Sequence, residues 1–152
     1  MITIRWESLK DTDRFASILA RCAFEGFLIL ASGDLGAGKT RLAKGLALEL
    51  GVKDTVTSPT FNILKCYNSD TYEFYHIDAY RLEGLRQDLG LEEFIEGDGV
   101  CFIEWSEYLE YLLPDEYLRV NISIDSDNTR IVTIDSNGSK YQEVEKEIER
   151  LW

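Results

Sequence analysis

Gly33-Asp34-Leu35-Gly36-Ala37-Gly38-Lys39-Thr40 has the spacing G-x-x-x-x-G-K-[ST], and the residues on either side restrict how it can be presented. Phe27 to Ala31 is an unbroken apolar run, the pattern of a strand buried on both faces, as parallel strands usually are. After the glycines, Leu42, Leu46 and Leu50 recur every four residues beside Ala43 and Ala47, which predicts an amphipathic helix ended by Gly51. Buried strand, glycine-rich turn and helix therefore follow one another. Glycines at 33, 36 and 38 admit positive φ, so that backbone N–H groups and a helix N-terminus can converge on phosphate with no side chain in the way. Lys39 adds a charge for β- and γ-phosphates, and the Thr40 hydroxyl suits a Mg²⁺ ligand. The pattern predicts nucleoside triphosphate binding by Gly33, Asp34, Leu35, Gly36, Ala37, Gly38, Lys39, Thr40 and Arg41.

A chain of 152 residues with no repeat, low-complexity segment or Pro/Gly/Ser linker is expected to form a single domain over residues 1–152. Charged residues near Met1 stand where a secretion signal needs an apolar core, and no apolar stretch approaches the about 18 residues of a membrane span, so the expected location is cytoplasmic, away from membranes. Cys22, Cys66 and Cys101 are odd in number and widely spaced, and His76 is the single histidine. Neither a disulfide framework nor a zinc site is indicated, and the thiols are expected to be buried and reduced. The formal net charge is −12, and between Asp88 and Asp127 twelve carboxylates accompany one base, Arg119. Such a surface repels naked nucleic acid; it is either a solvated face or an acidic docking surface.

Residues 11–21 read as a helix with Phe15, Ile18, Leu19 and Cys22 on one face. Phe61 to Tyr67 and Thr71 to Ile77 flank Asn68-Ser69-Asp70 as an antiparallel hairpin, and Leu118 to Ile124 and Arg130 to Asp135 form a second. Leu89 to Ile95 reads as a short helix, Ser106 to Leu113 as a helix stopped by Pro114, and Tyr141 to Trp152 as a charged helix. The expected fold class is α/β: a P-loop NTPase fold in three layers, with a mixed, centrally parallel sheet and helices on both faces.

Val100 to Ile103 is a second fully apolar strand, and it delivers Glu104 to the carboxyl end, where open α/β sheets bind ligands. Glu104 is a candidate for the Mg²⁺ shell, directly or through water, or for polarising an attacking water. Trp105 follows at the same mouth, as a nucleotide contact or as packing. Thr57-Ser58-Pro59-Thr60-Phe61, rich in hydroxyls, has the character of a mobile segment that senses a γ-phosphate, with an ordinary turn as the alternative. Asp78 and Arg81 would reach the same edge if their strand lies beside the strand of the glycine-rich loop, which makes Asp78 a candidate for Mg²⁺ or water positioning; His76 reads as a satisfied strand residue.

Gly33 to Thr40, Ser58 to Phe61, His76 to Arg81 and Ile103 to Trp105 occur in the order of the G-D-L-G-A-G-K-T, S-P-T-F, H-x-D-x-Y-R and I-E-W segments of the TsaE (YjeE) family, which the chain resembles over about residues 5 to 125. The resemblance implies an ATPase required for threonylcarbamoyladenosine formation in tRNA. It implies that Lys39 binds phosphate, that Thr40 and Glu104 hold Mg²⁺, and that Asp78 and the segment from Ser58 through Thr60 serve hydrolysis. It further implies ATP and Mg²⁺ as cofactors and TsaB-like and TsaD-like proteins as partners, with tRNA reached only through them. Residues 126–152 match no motif of the family. Two other classes also use such a loop: a nucleotide-dependent docking module with little hydrolysis, and a small-molecule kinase, which would need an arginine-bearing lid, for which Arg119 and Arg130 are the candidates.

Overall fold

The structure, a computed structural model, describes residues 1–152, and its frame is one mixed sheet of seven strands. The strands are β1 (Ile2–Trp6), β2 (Leu28–Ser32), β3 (Leu64–Tyr67), β4 (Phe74–Asp78), β5 (Val100–Glu104), β6 (Tyr117–Ile124) and β7 (Arg130–Asn137), in spatial order β1-β7-β6-β2-β5-β4-β3. β6, β2, β5 and β4 run parallel, and β1, β7 and β3 complete the sheet in antiparallel pairs. The two uninterrupted apolar runs are the adjacent central strands β2 and β5, in register as Leu30↔Ile103 and Ala31↔Glu104. That placement explains their composition. A strand with neighbours on both sides and cover on both faces has no position for a solvated side chain, and all five β5 residues are buried.

Helices α1 (Leu9–Cys22), α2 (Lys39–Leu50) and α4 (Ser139–Leu151) form one layer, in which α1 packs against both of the others. Gly45 permits close approach of α2 to α1: a Cβ there would stand 3.0 Å from the Ala16 methyl. Trp6 of β1, Phe15 of α1 and Trp152 after α4 join the layer to the sheet through ring contacts of 5.5 and 6.3 Å. The opposite face is covered only over the β2-β5-β4 half, by α3 (Glu92–Ile95) and 3₁₀ turns at Tyr80–Leu82 and Ser106–Leu112; Phe94, for instance, meets Tyr75 of β4 edge-on at 5.1 Å. Over β6-β7-β1 the outward residues Arg119, Asn121, Thr133 and Arg5 are half-buried or exposed. The expected three layers are thus complete over half the sheet.

Several other boundaries differ from expectation. β3 begins at Leu64 and not at Phe61, because Ile63 adopts a left-handed conformation (φ 68°) and its amide, like that of Asn62, bonds back to the Pro59 carbonyl, closing a turn where a strand was expected. The Ser106 segment is 3₁₀ and kinked at Leu109, and α3 keeps only four residues of the expected seven. β1, an edge strand, is an element that the residue pattern did not announce. The thiols are unpaired, but only Cys101 is buried; Cys22 is half-buried and Cys66 is exposed on the edge strand β3. Their apolar sequence neighbours do not predict this, since alternate residues of an edge strand face outward. No helix is long and apolar enough to cross a membrane.

Candidate functional site

The glycine-rich loop joins the carboxyl end of β2 to the start of α2, as strand–turn–helix order requires. Gly33 (φ 139°) is confined, because a Cβ there would lie 2.3 Å from the Ile122 carbonyl oxygen. Gly36 and Gly38 also have positive φ, but a Cβ on either would meet nothing within 4 Å. Their open side faces a cleft of about 320 Å³ that is also lined by Leu35, Lys39, Thr40, Arg41, Ser58, Thr60, Asp78, Glu104 and Trp105. The N-terminus of α2 has no side-chain cap, leaving its first amides and the positive end of its dipole without a side-chain acceptor.

Two walls meet in the cleft. On one, the Thr40 hydroxyl donates to Glu104, lying 3.1 Å from both carboxylate oxygens, and His76 Nε2 donates to Glu104 Oε2 at 2.6 Å. On the other, Asp78 Oδ2 accepts from the Thr60 hydroxyl at 2.9 Å, its Oδ1 accepts from the Tyr80 amide at 3.0 Å, and the Ser58 and Thr60 hydroxyls bond each other at 2.7 Å. The two carboxylates are register partners, Asp78↔Glu104, across β4 and β5. The strand carrying Asp78 lies one strand away from β2, with β5 between them, so the adjacency on which its reach was conditional does not hold, yet Asp78 lines the cleft. Both carboxylates are buried, as is Lys39.

Lys39 donates to the Gly33 carbonyl and places Nζ 3.9 Å from the centre of the Trp105 ring. Desolvation pulls its pKa below the ordinary lysine value, while the carboxylates of Glu104, Glu107, Asp78 and Asp34 act in the opposite direction. Trp105 is itself held between Tyr80 and Tyr108, whose ring centres lie 5.0 and 6.1 Å away, on a left-handed backbone (φ 60°) that a bulky residue rarely adopts. It is thus packed and at the cleft at once. Asp34, Leu35 and Gly36 are exposed, Ala37 is buried, and Arg41 Nη2 donates to both carboxylate oxygens of Asp13 of α1, at 3.1 and 3.0 Å. Arg81 does not enter the cleft; its guanidinium lies over Phe61, 5.1 Å from the ring centre.

A larger cleft, about 600 Å³, adjoins the outer side of the loop and shares Gly36, Gly38 and Arg41 with the first. Its other walls are Glu7 to Lys10 and Thr12 around the start of α1, Asp127 and Asn128 of the β6–β7 turn, and Arg130 at the start of β7. Arg130 donates to the Ala37 carbonyl at 2.8 Å and so braces the loop from behind. Sequence reasoning missed this contribution: Arg130 lies 93 residues from Ala37, and no local pattern marks the pairing. Of the carboxylates between Asp88 and Asp127, all but Glu104 are exposed.

A family model described as threonylcarbamoyl adenosine biosynthesis protein TsaE matches residues 6–132. The tRNA threonylcarbamoyladenosine biosynthesis protein TsaE of Bacillus subtilis (strain 168) is 39% identical over 152 residues, spanning 99% of this chain and 96% of that protein. Its counterpart in Treponema pallidum (strain Nichols) is 39% identical over 129 residues, with 84% of this chain and 95% of that protein covered. Among solved structures, one titled as the crystal structure of Bacillus subtilis YdiB superposes with a TM-score of 0.84 at 34% identity, covering 98% of this chain and 94% of that one.

Proposed function

The chain belongs to the TsaE family of tRNA threonylcarbamoyladenosine biosynthesis, and from that premise we propose that it is a Mg²⁺-dependent ATPase with a P-loop NTPase fold. In this reading it supports threonylcarbamoyl transfer to the adenosine beside the tRNA anticodon by acting on TsaB-like and TsaD-like partners. The observation that carries the reading is the convergence of Lys39, Thr40, Glu104, Asp78 and Thr60 on the cleft that Gly36 and Gly38 leave open. The donor set fits Mg²⁺, a hard cation held by one or two carboxylates and phosphate oxygens: a hydroxyl and two carboxylates, with no thiol. Thr40 and Glu104 would hold the ion, with Asp78 behind them, and bound Mg²⁺ would neutralise charge on the β- and γ-phosphates.

The chain's own groups then divide the work. The amides from Gly36 to Arg41 and the Lys39 ammonium bind the phosphates, for which Lys39 exchanges the Trp105 ring and a carbonyl for full negative charges. Trp105 closes the mouth against water. Asp78 and Thr60 orient the water that attacks, since Thr60 is carried by the loop that would reach the γ-phosphate. The adjoining cleft accommodates the adenosine, which Arg130 serves by fixing the loop between the two spaces. A kinase lid finds no candidate in the two arginines considered: Arg130 braces the loop and Arg119 lies over Tyr117 on the uncovered sheet face.

The exposed carboxylates argue for a protein partner between this chain and tRNA. Reconstitution with TsaB-like and TsaD-like proteins of the same cell, a threonylcarbamoyl donor and tRNA tests the whole reading. Repeated rounds of modification should require this chain and ATP, and equal turnover without the chain would refute it.

A further inference from the structure

His76 has 0% of its surface exposed, yet its neighbours are those of an apolar core: Phe102 meets it edge-on at 5.6 Å and Phe74 lies at 6.2 Å. One ring nitrogen, Nε2, donates to Glu104 at 2.6 Å, and the other, Nδ1, is buried without a partner. A phenylalanine or leucine in this position would pack among the same rings with no nitrogen left unsatisfied, and what it would lose is the bond to Glu104. Core packing alone therefore gives no reason for an imidazole. Glu104, for its part, has only two protein partners, Thr40 and His76. The Thr40 hydroxyl is the one that a Mg²⁺ ion would engage, so once the ion is bound, His76 is the fixed support that keeps the carboxylate aimed into the cleft. The strand geometry makes this possible: His76 and Asp78 alternate onto the same face of β4, and register places them opposite Phe102 and Glu104 of β5.

We propose that His76 is a positioning residue that orients the Glu104 carboxylate toward the Mg²⁺ site, holding it from behind through an Nε2–H donor fixed by the apolar surroundings of Nδ1. The inference rests on the proposed Mg²⁺-ATP reading. It assigns His76 no contact with substrate; the side chain acts through Glu104, as the outer partners of metal-binding carboxylates commonly do.

The test measures binding of a non-hydrolysable ATP analogue, AMP-PNP, to the full chain by calorimetry in Mg²⁺ and in EDTA. The quantity compared is the affinity gained from the metal. His76→Leu should reduce that gain about tenfold, the lower end for outer partners of metal ligands, leave the affinity in EDTA unchanged, and lower the thermal midpoint of the empty protein, because the buried Glu104 carboxylate loses a partner. His76→Gln, whose amide can donate from near the Nε2 position, should recover most of the gain. If Leu retained the parent's gain, or if Gln and Leu lost it equally, the positioning role would be overturned while the nucleotide reading stood. A parent chain that gained nothing from Mg²⁺ would overturn both. Should the Leu variant not fold, the unmodified protein decides, because its single histidine gives unambiguous ¹⁵N imidazole signals. A protonated Nε2, a bare Nδ1 and a shift of the Nε2–H resonance on adding Mg²⁺ to the AMP-PNP complex are expected; a protonated Nδ1 or an unmoved resonance contradicts the proposal.

Discussion

Glu104 and Asp78 are register partners at the ends of neighbouring strands, but they are anchored to different kinds of structure. Glu104 is tied to Thr40 in the first turn of α2 and to His76 inside β4, both parts of the packed frame. Asp78 is tied to the Tyr80 amide and to Thr60, the latter in a loop whose tip, Phe61, is 81% exposed. One carboxylate thus sits on a packed wall and the other holds an exposed loop. On the proposed reading, the difference separates two tasks: constant geometry where charge is neutralised, and a responsive segment where the terminal phosphate is sensed.

If that division is right, damage to the two walls should differ in size and in kind. Glu104→Ala should lower partner-stimulated ATP hydrolysis by about 10²- to 10³-fold, as removal of a preorganised transition-state contact does, while affecting ATP affinity much less. Asp78→Ala should cost less, roughly 10- to 100-fold, by releasing the loop and misplacing the attacking water. It should alter kcat and KM together, because on the proposed reading the loop also covers bound nucleotide. Equal losses confined to kcat in both variants would erase the distinction between the walls. Thr60→Val removes a single hydroxyl contact to Asp78, worth about 1 kcal/mol, and a roughly fivefold slower turnover is expected; no change would mean that Asp78 acts without the loop.

The smallest effect concerns Lys39 on the packed wall. Desolvation depresses its pKa below the unfolded 10.5, so the charge costs stability in the empty protein below the folded pKa, and the cost disappears as pH rises through the folded pKa toward 10.5. Lys39→Met should therefore raise the urea midpoint at pH 7, with an advantage that narrows toward pH 10. A constant advantage would show that packing, not charge, is responsible.

What could be read in the residues alone follows the same division. The packed wall is built from short-range patterns: glycine spacing, a four-residue leucine repeat and an apolar run ending in Glu104 each report on contiguous backbone, and each lies where it was expected. The two hairpins were visible for the same reason, since alternation and turn residues are local. Long-range matters were not legible. The Arg130 brace depends on β7 returning beside the loop, the interposition of β5 between β2 and β4 depends on topology, and the hold of His76 on Glu104 depends on which faces two strands present in register. The uncovered outer half of the sheet escaped because helix count does not say which face a helix covers, and the exposure of Cys66 because β3 is an edge strand.

The account depends above all on phosphate being seated between the open glycines and Lys39. Calorimetric titration of Mg²⁺-ATP into the parent chain and into Lys39→Ala is the most direct test. Loss of a charged hydrogen-bond partner worth about 1.5 to 3 kcal/mol predicts an affinity roughly 10- to 150-fold lower in the variant, with its fold intact by circular dichroism. Undiminished ATP binding by a folded Lys39→Ala protein would contradict the account.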